Sequence, residues 1–211
     1  MAPSMAHIRP SCQSPYWGPV LRIRFMGGAT AHVPREVINN HPVFAARFSR
    51  RSANELLNLL DVPQCVGHTI VHFLFTGTYQ TLPGPLDNAT DRYHVLFSEA
   101  LNVYFEALNL GLVTLSRLAT KEIARHGGQM SFAEIVKVLD DDFHELTGNE
   151  TWLIDYLVNR ATMESEVVTD ESIQKFRALM GGQRVVVDIL LEGILKLKIQ
   201  LQRQFYQTTP Q

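Results

Sequence analysis

The stretch VLRIRF, which begins at Val20, constrains the fold more than any other part of the sequence. Apolar residues stand at every second position from Leu21 to Phe25, and Arg22 and Arg24 stand between them. Successive side chains of a β-strand point to opposite faces, so this alternation predicts a strand with one buried face and one open face.

A glycine pair follows this strand and predicts a hairpin. Gly27 and Gly28 separate VLRIRF from a second extended run, ATAHV, and glycine tolerates the positive φ that tight hairpin turns require. Pro34 then suits the first turn of a helix, because its missing N–H costs nothing there. Pro42 is expected to end that short helix and start another, and the run NELLNLLDV predicts a further strand.

A longer helix is predicted to start near Pro63 and to end at Gly77, where glycine permits a left-handed residue. Apolar residues at helical spacing predict its buried face: Val66, Ile70, Phe73 and Leu74. Polar residues are expected on the opposite face: Cys65, His68, Thr69 and His72.

The second half of the chain is predicted to be helical. Ser131 and Glu134 form a capping-box pattern before an apolar run, and Asn149 and Asp170 are further candidate caps. A last helix is expected over about residues 184–205, and apolar residues on more than one of its sides form a candidate contact surface. One apolar side is predicted to contain Val187, Leu190, Leu191, Ile194 and Leu195.

These patterns predict an α+β chain, in which a small sheet flanked by helices is followed by an all-helical extension. The predicted divisions are a flexible tail over residues 1–19, a first domain over residues 20–126 and a helical extension over residues 127–211.

Composition and charge exclude several classes of function. The 19 basic and 21 acidic side chains give a formal net charge of −2, which provides no basic field for a phosphate backbone, so direct nucleic-acid binding is not expected. Two cysteines form no disulfide framework, and an intracellular protein of the nucleus or cytoplasm is expected. No membrane segment is expected either, because no apolar run is long enough to span a bilayer.

Metal and catalytic sites are only weakly indicated. Cys65, His68 and His72 share a helical face and could hold zinc with a fourth ligand, but no second ligand pair accompanies them, so a solvated or partner-facing surface is preferred. The run Asp140–Asp142 lacks the glycine and glutamate that an EF-hand loop needs. No nucleotide-binding or nucleophile motif is recognisable, so no metal, cofactor or catalytic residue is predicted.

The order of these elements resembles the BTB/POZ domain. A hairpin, two short helices around HPVF, a strand ending in LLDVP and a helix closing with FLFTGTY follow one another as in that family. The residues that match its helix-closing pattern are Phe73, Phe75, Thr76, Gly77 and Tyr79. The later helices are similar to the helical extension of many fungal BTB proteins, and the resemblance spans roughly residues 20–161.

This resemblance implies a mode of assembly. BTB domains pair through the first strand and first helix, here Val20–Phe25 and Pro34–Asn40, and the family often has an Asp before the strand that helps to build the homodimer surface. That Asp is absent, since Gly18 and Pro19 precede the strand. Two copies would also bring their outward arginines together, so contact with an acidic heterologous partner is expected to be favoured over homodimerisation.

Two classes of function remain. The preferred one is a non-enzymatic protein-interaction module, a scaffold or assembly subunit of a larger complex. The resemblance implies a transcriptional or chromatin complex, or alternatively a cullin ubiquitin ligase for which the chain is a substrate adaptor. The second class is an enzyme with an unrecognised site, which would need a pocket lined by perturbed groups. The residues predicted to contact a partner protein are Tyr16, Trp17, Arg22, Arg24, His68, His72 and Tyr79.

Overall fold

The computed structural model describes residues 18–48, 56–82, 89–142, 151–163, 169–171, 173–174 and 193–203. Helix predominates in this part of the chain and is accompanied by one small mixed sheet, so the predicted α+β class is confirmed. The predicted contact residues Tyr16 and Trp17 and the predicted cap Asn149 lie outside the described residues.

The alternating stretch forms the central strand of a three-stranded sheet. β1 (Val20–Phe25) pairs antiparallel with β2 (Thr30–Pro34) across a turn at Met26–Gly28, and it pairs parallel with β3 (Leu56–Leu59), giving the order β2-β1-β3. Both glycines of the turn have positive φ, 71° and 84°, which explains why glycine is needed there. The predicted hairpin and third strand are therefore confirmed.

Three helices follow in the first half of the chain, at the positions where proline and glycine predict their ends. α1 (Arg35–Asn39) begins directly after Pro34, α2 (Pro42–Ala45) has proline as its first residue, and α3 (Gln64–Thr76) begins after a proline. Gly77 closes α3 with a φ of 70°, and its N–H donates to the carbonyl oxygen of residue 73 at 2.8 Å.

The inner face of β1 packs against α3. Leu21, Ile23 and Phe25 are buried, whereas the residues between them are exposed or half-buried, which confirms the predicted alternation. Gly67 permits the close approach of the helix, because a Cβ there would lie only 2.7 Å from the Phe25 ring. All four predicted core residues of α3 are buried: Val66, Ile70, Phe73 and Leu74.

Five longer helical segments make up most of the rest of the described chain. They are α4 (Ala89–Leu110), α5 (Val113–Gly127), α6 (Phe132–Asp142), α7 (Thr151–Thr162) and the helical residues 193–203. No helix among the described residues is long and apolar enough to cross a membrane.

The chain divides into two compact units. The first unit comprises residues 1–84 and 102–119, and the second comprises residues 85–101 and 120–211, so α4 and α5 each contribute to both. The predicted boundary between a first domain over residues 20–126 and a helical extension over residues 127–211 is a statement about which segments fold independently. It stays a prediction.

The second unit has an apolar core of its own, built by three helices and a short segment. Its buried members are Phe132, Val136, Ile173, Leu195 and Ile199. A buried arginine of α7 adds a polar tie, because Arg160 Nη2 donates to the Met130 carbonyl oxygen at 2.7 Å. A charged donor of this kind ties α7 to the residues just before α6.

The start of α6 shows the predicted capping box. Glu134 Oε2 accepts from the Ser131 N–H at 2.7 Å and from the Ser131 hydroxyl at 2.8 Å, and the Glu134 N–H donates to Ser131 Oγ at 3.3 Å. These bonds satisfy backbone donors that a helix start otherwise leaves open. His94 lies beside the same carboxylate, with its Nε2 3.5 Å from Glu134 Oε1.

This cap makes stability depend on pH in a definite direction. Burial alone would raise the pKa of Glu134, but the bonds from Ser131 and the nearby His94 outweigh it and lower the pKa below the ordinary 4.5. A carboxyl whose pKa is lowered by folding stabilises the fold above its unfolded pKa, and this stabilisation disappears as the pH falls through the lowered value. Glu134→Gln should therefore be less stable than the wild type above pH 4.5, and the difference should shrink below pH 4.5 and vanish once the pH is below the lowered pKa, as measured by urea denaturation. A stability difference that is independent of pH would contradict this assignment.

Two predicted positions differ from the structure. Thr69 is fully buried rather than on the polar face of α3, because its hydroxyl donates to the Gln80 carbonyl oxygen at 2.9 Å and holds the segment after the helix. In residues 193–203, Leu195 and Ile199 are buried, while Ile194, predicted on the same side as Leu195, is 45% exposed. The remaining residues of the predicted last helix, 184–192 and 204–205, lie outside the described residues.

Candidate protein-interaction surface

One face of the sheet is the best-defined candidate surface, and we call it the outer sheet face. It consists of two alternate residues from each of the three strands: Arg22, Arg24, Thr30, His32, Leu56 and Asn58. Residues that are paired across strands point to the same side, so these six form two cross-strand rows with an arginine at the centre of each. The surface thus combines side chains from all three strands.

The outer sheet face is open and carries no acidic residue among its six positions. Arg24, Thr30, His32 and Asn58 are exposed, and Arg22 and Leu56 are half-buried. The predicted contact residues Arg22 and Arg24 are therefore brought together with His32, which the sequence analysis did not single out.

The backbone of β1 is paired on both sides. β2 pairs with it from Val20 to Arg24, and β3 pairs with it from Arg22 to Phe25. The expected assembly through the first strand therefore cannot use a free edge of that strand. A partner that approaches β1 must contact the side chains of its outer face instead.

The exposed side of α3 carries a second polar cluster. The rings of His68 and His72 are stacked with centroids 6.1 Å apart, and His72 Nε2 lies 3.0 Å from the Thr78 hydroxyl. The Thr76 hydroxyl lies 2.8 Å from that of Thr78 and donates to the His72 carbonyl oxygen at 2.8 Å. These bonds cap the end of α3 and hold His72, and the His68 ring stacks on His72. Tyr79 follows the cluster and is half-buried.

This cluster offers two histidine ligands, and Cys65 stands one turn earlier as a half-buried thiol that is not part of a disulfide. In the described part of the chain, no group of three or more His, Cys, Asp or Glu side chains has the geometry to hold a metal ion. The hydrogen bonds of this cluster run among His72, Thr76 and Thr78, while His68 Nε2 is buried.

Chelation gives a direct check of this interpretation. Structural zinc contributes folding free energy, so its removal lowers the melting temperature of proteins that depend on it. Excess EDTA should leave the melting temperature of this chain unchanged. A lower melting temperature in EDTA, restored by added zinc and absent in His68→Ala, would show that the cluster does bind metal.

A third cluster joins the turn after α2 to the end of α4 and was missed by sequence reasoning. The Arg47 guanidinium donates to the Asn109 carbonyl oxygen and, at 3.4 Å, to its side-chain oxygen. Glu106 lies nearby, and burial raises its pKa, with Asp61 adding to the rise and Asn109 and Arg47 opposing it. Only the tertiary fold brings these four residues together, so no local sequence pattern could have indicated them.

A buried histidine occupies the end of α5 in the second unit. His126 is only 5% exposed, and its Nε2 lies 3.4 Å from Glu122 Oε2. Burial lowers the pKa of His126, the nearby Arg125 lowers it further, and Glu122 partly offsets both. The Tyr93 ring packs at a centroid distance of 6.4 Å. This site was also not predicted, and its position inside the fold identifies it as a structural contact.

Comparison with known proteins gives two relationships. Residues 33–130 match the family described as the HAC6 N-terminal domain. Two subtelomeric hrmA-associated cluster proteins, from two strains of Aspergillus fumigatus, are each 28% identical to the chain over 190 residues, covering 85% of this chain and 45% of the relative. The chain thus spans less than half the length of these relatives. No solved structure matches the chain significantly.

The resemblance to the BTB/POZ domain is wrong as a family assignment. The family that matches is the HAC6 N-terminal domain, and no BTB/POZ family matches. The features behind the resemblance are a strand alternation, a Gly-Gly hairpin, proline at helix starts and glycine at a helix end. These report local backbone requirements that many folds share, so their order does not identify a family. The expected cullin, transcriptional and chromatin partners and the expected family mode of pairing came only from that resemblance, and they lose their basis with it.

Proposed function

We propose that this chain is a non-enzymatic protein-interaction module and a subunit of a larger assembly. The observation that carries the proposal is the outer sheet face. Helices bury the inner face of the sheet, whereas the outer face presents polar, basic and apolar side chains from three strands to its surroundings. Such a mixed surface on a rigid scaffold is suited to binding another protein.

Exposed apolar side chains in each unit support the same proposal. In the first unit, Val20 is 50% exposed at the start of β1, and Leu60 is 53% exposed just after β3. In the second unit, Ile194, Leu197 and Leu201 stand at helical spacing and are all about half exposed, on the side of the helix that faces away from its buried residues. Contiguous exposed apolar residues are more common at contact surfaces than elsewhere on a protein.

The groups with a perturbed pKa also favour binding over catalysis. His41 has its pKa lowered by burial against the Phe73 ring, while Glu106, His126 and Glu134 each make the structural contacts described above. Each shift has a cause in packing, burial or capping, so none requires a catalytic role.

Reconstitution tests the proposal. The full chain would be purified from its native host with an affinity tag, bound proteins would be identified by mass spectrometry, and the complex would be rebuilt from the separately purified chains. We expect light scattering to show a complex of fixed stoichiometry. A structure of that complex should show a buried area typical of specific interfaces. A chain that remains a monomer in host extract and binds no candidate after purification would contradict the proposal.

A further inference from the structure

We infer that the outer sheet face binds an extended, acidic segment of a partner protein whose carboxylates stand two residues apart. This inference rests on the proposed function, since it specifies the chemistry of the partner. It assigns to β1 the role of reading that segment through Arg22 and Arg24.

Charge is the first step of the argument. Arg24 is exposed, its cross-strand neighbours Thr30 and Asn58 are neutral, and no ion pair joins it to another of the described residues. His32 adds a third nitrogen-bearing side chain in the adjacent row. Arg22 is half-buried and already has an interaction within the chain. A guanidinium presents several donors in a plane that matches a carboxylate, so it can hold a partner carboxylate beside an existing contact, and an acidic partner would complement this face.

Spacing is the second step. Arg22 and Arg24 are alternate residues of one strand, which places them roughly 7 Å apart along it. An extended segment has the same rise, so carboxylates at its positions i and i+2 match both arginines on one side, while its intervening side chains point away. Adjacent carboxylates would instead point to opposite sides, and only one of them could reach an arginine.

Apolar contacts are the third step, and they favour a protein partner over a nucleic acid. Leu56 is half-buried beside Arg22, and Val20 is half exposed on the same strand. A peptide can offer apolar side chains to both. A phosphate backbone would need a larger basic surface, and the whole chain carries a net charge of −2.

Two variants change the charge of this face in different ways. Arg24→Glu reverses an exposed charge. Asn58→Asp keeps Arg24 and places a carboxylate directly opposite it on β3, where it competes with a partner carboxylate. Lys121→Glu on α5 is the matched control, because it also reverses an exposed charge and lies outside the sheet. Circular dichroism melts would establish that all three fold like the wild type.

The probes are fluorescent 12-residue peptides of identical composition with two aspartates at sequence separations of one, two or four, measured by anisotropy with the full chain. We expect the tightest binding at separation two. Arg24→Glu and Asn58→Asp should each weaken it by about tenfold, because like charges then meet at the contact, and Lys121→Glu should have little effect. Binding should also weaken as sodium chloride is raised.

Other outcomes would overturn the inference. Equal binding at all three separations would exclude recognition of an extended segment by its carboxylate spacing. Tightest binding at separation four would indicate a helical partner. A single-stranded oligonucleotide of equal charge that binds more tightly than the peptides would indicate a nucleic-acid surface. If the reconstituted native complex survives Arg24→Glu and Asn58→Asp unchanged, the interaction-module proposal stands and the outer sheet face is not the contact. If no native complex forms at all, the module proposal fails independently of the peptide result.

Discussion

Replacing Phe73 by alanine is expected to lower the free energy of unfolding by about 3–5 kcal/mol. Phe73 is 2% exposed on the inner side of α3, and its ring packs against His41 at a centroid distance of 5.4 Å. Truncation removes most of this buried apolar surface and leaves a cavity that the surrounding helices can fill only in part. Chemical denaturation gives the loss directly.

The same helix supplies a matched control and a second readout. Phe75 is 41% exposed, so Phe75→Ala should cost less than about 1 kcal/mol. In Phe73→Ala the pKa of His41, which burial now lowers, should rise towards its ordinary value, and NMR titration would follow it. Equal losses for the two alanine variants would show that Phe73 is not part of the core.

Gly111→Ala is expected to be the most damaging glycine substitution in the first unit, at about 2–4 kcal/mol. Gly111 ends α4 with a φ of 72°, and its N–H donates to the Leu108 carbonyl oxygen at 3.1 Å, while the Leu112 N–H donates to that of Ala107 at 2.8 Å. This is a Schellman cap, which requires the left-handed backbone. An alanine Cβ would also clash with a Val43 methyl group.

Gly77 separates the two contributions. It closes α3 with nearly the same φ of 70°, but nothing lies within 4 Å of the position where a Cβ would be. Gly77→Ala should therefore show only the backbone cost of about 1–2 kcal/mol. The additional loss in Gly111→Ala should shrink when Val43→Ala removes the clashing methyl group. Identical losses for both glycines would exclude the steric contribution of Val43.

Most of the local structure follows from the sequence, because the signals for it are local. The alternation at Val20 fixes which side of β1 is buried, glycines mark the hairpin turn and the end of α3, and Ser131 and Glu134 mark the start of α6. Each of these signals reports a backbone or solvation requirement within a few residues. They therefore hold even though the family inferred from their order is wrong.

What the sequence could not predict depends on contacts between distant segments. Thr69 has the spacing of a polar surface residue, yet Gln80 supplies a hydrogen-bond partner that makes its burial acceptable. The pairing of β1 on both sides removes the free edge that assembly through that strand would use. The alternation predicted that Arg22 and Arg24 lie on the outward face of β1, whereas Asn58, which stands opposite Arg24, belongs to this surface only through parallel pairing with β3.

The parallel pairing of β1 with β3 has a consequence for the order of folding. Arg22 pairs with His32, which is ten positions further along the chain, and with Leu56, which is 34 positions further along it. Closing the longer loop costs about 1 kcal/mol more in chain entropy, so the hairpin is expected to form first and β3 to join later. The outer sheet face gains Leu56 and Asn58 only at that later step. A partner that contacts all three strands would therefore distinguish a finished domain from a newly made hairpin, and assembly would wait for the chain to complete its own fold.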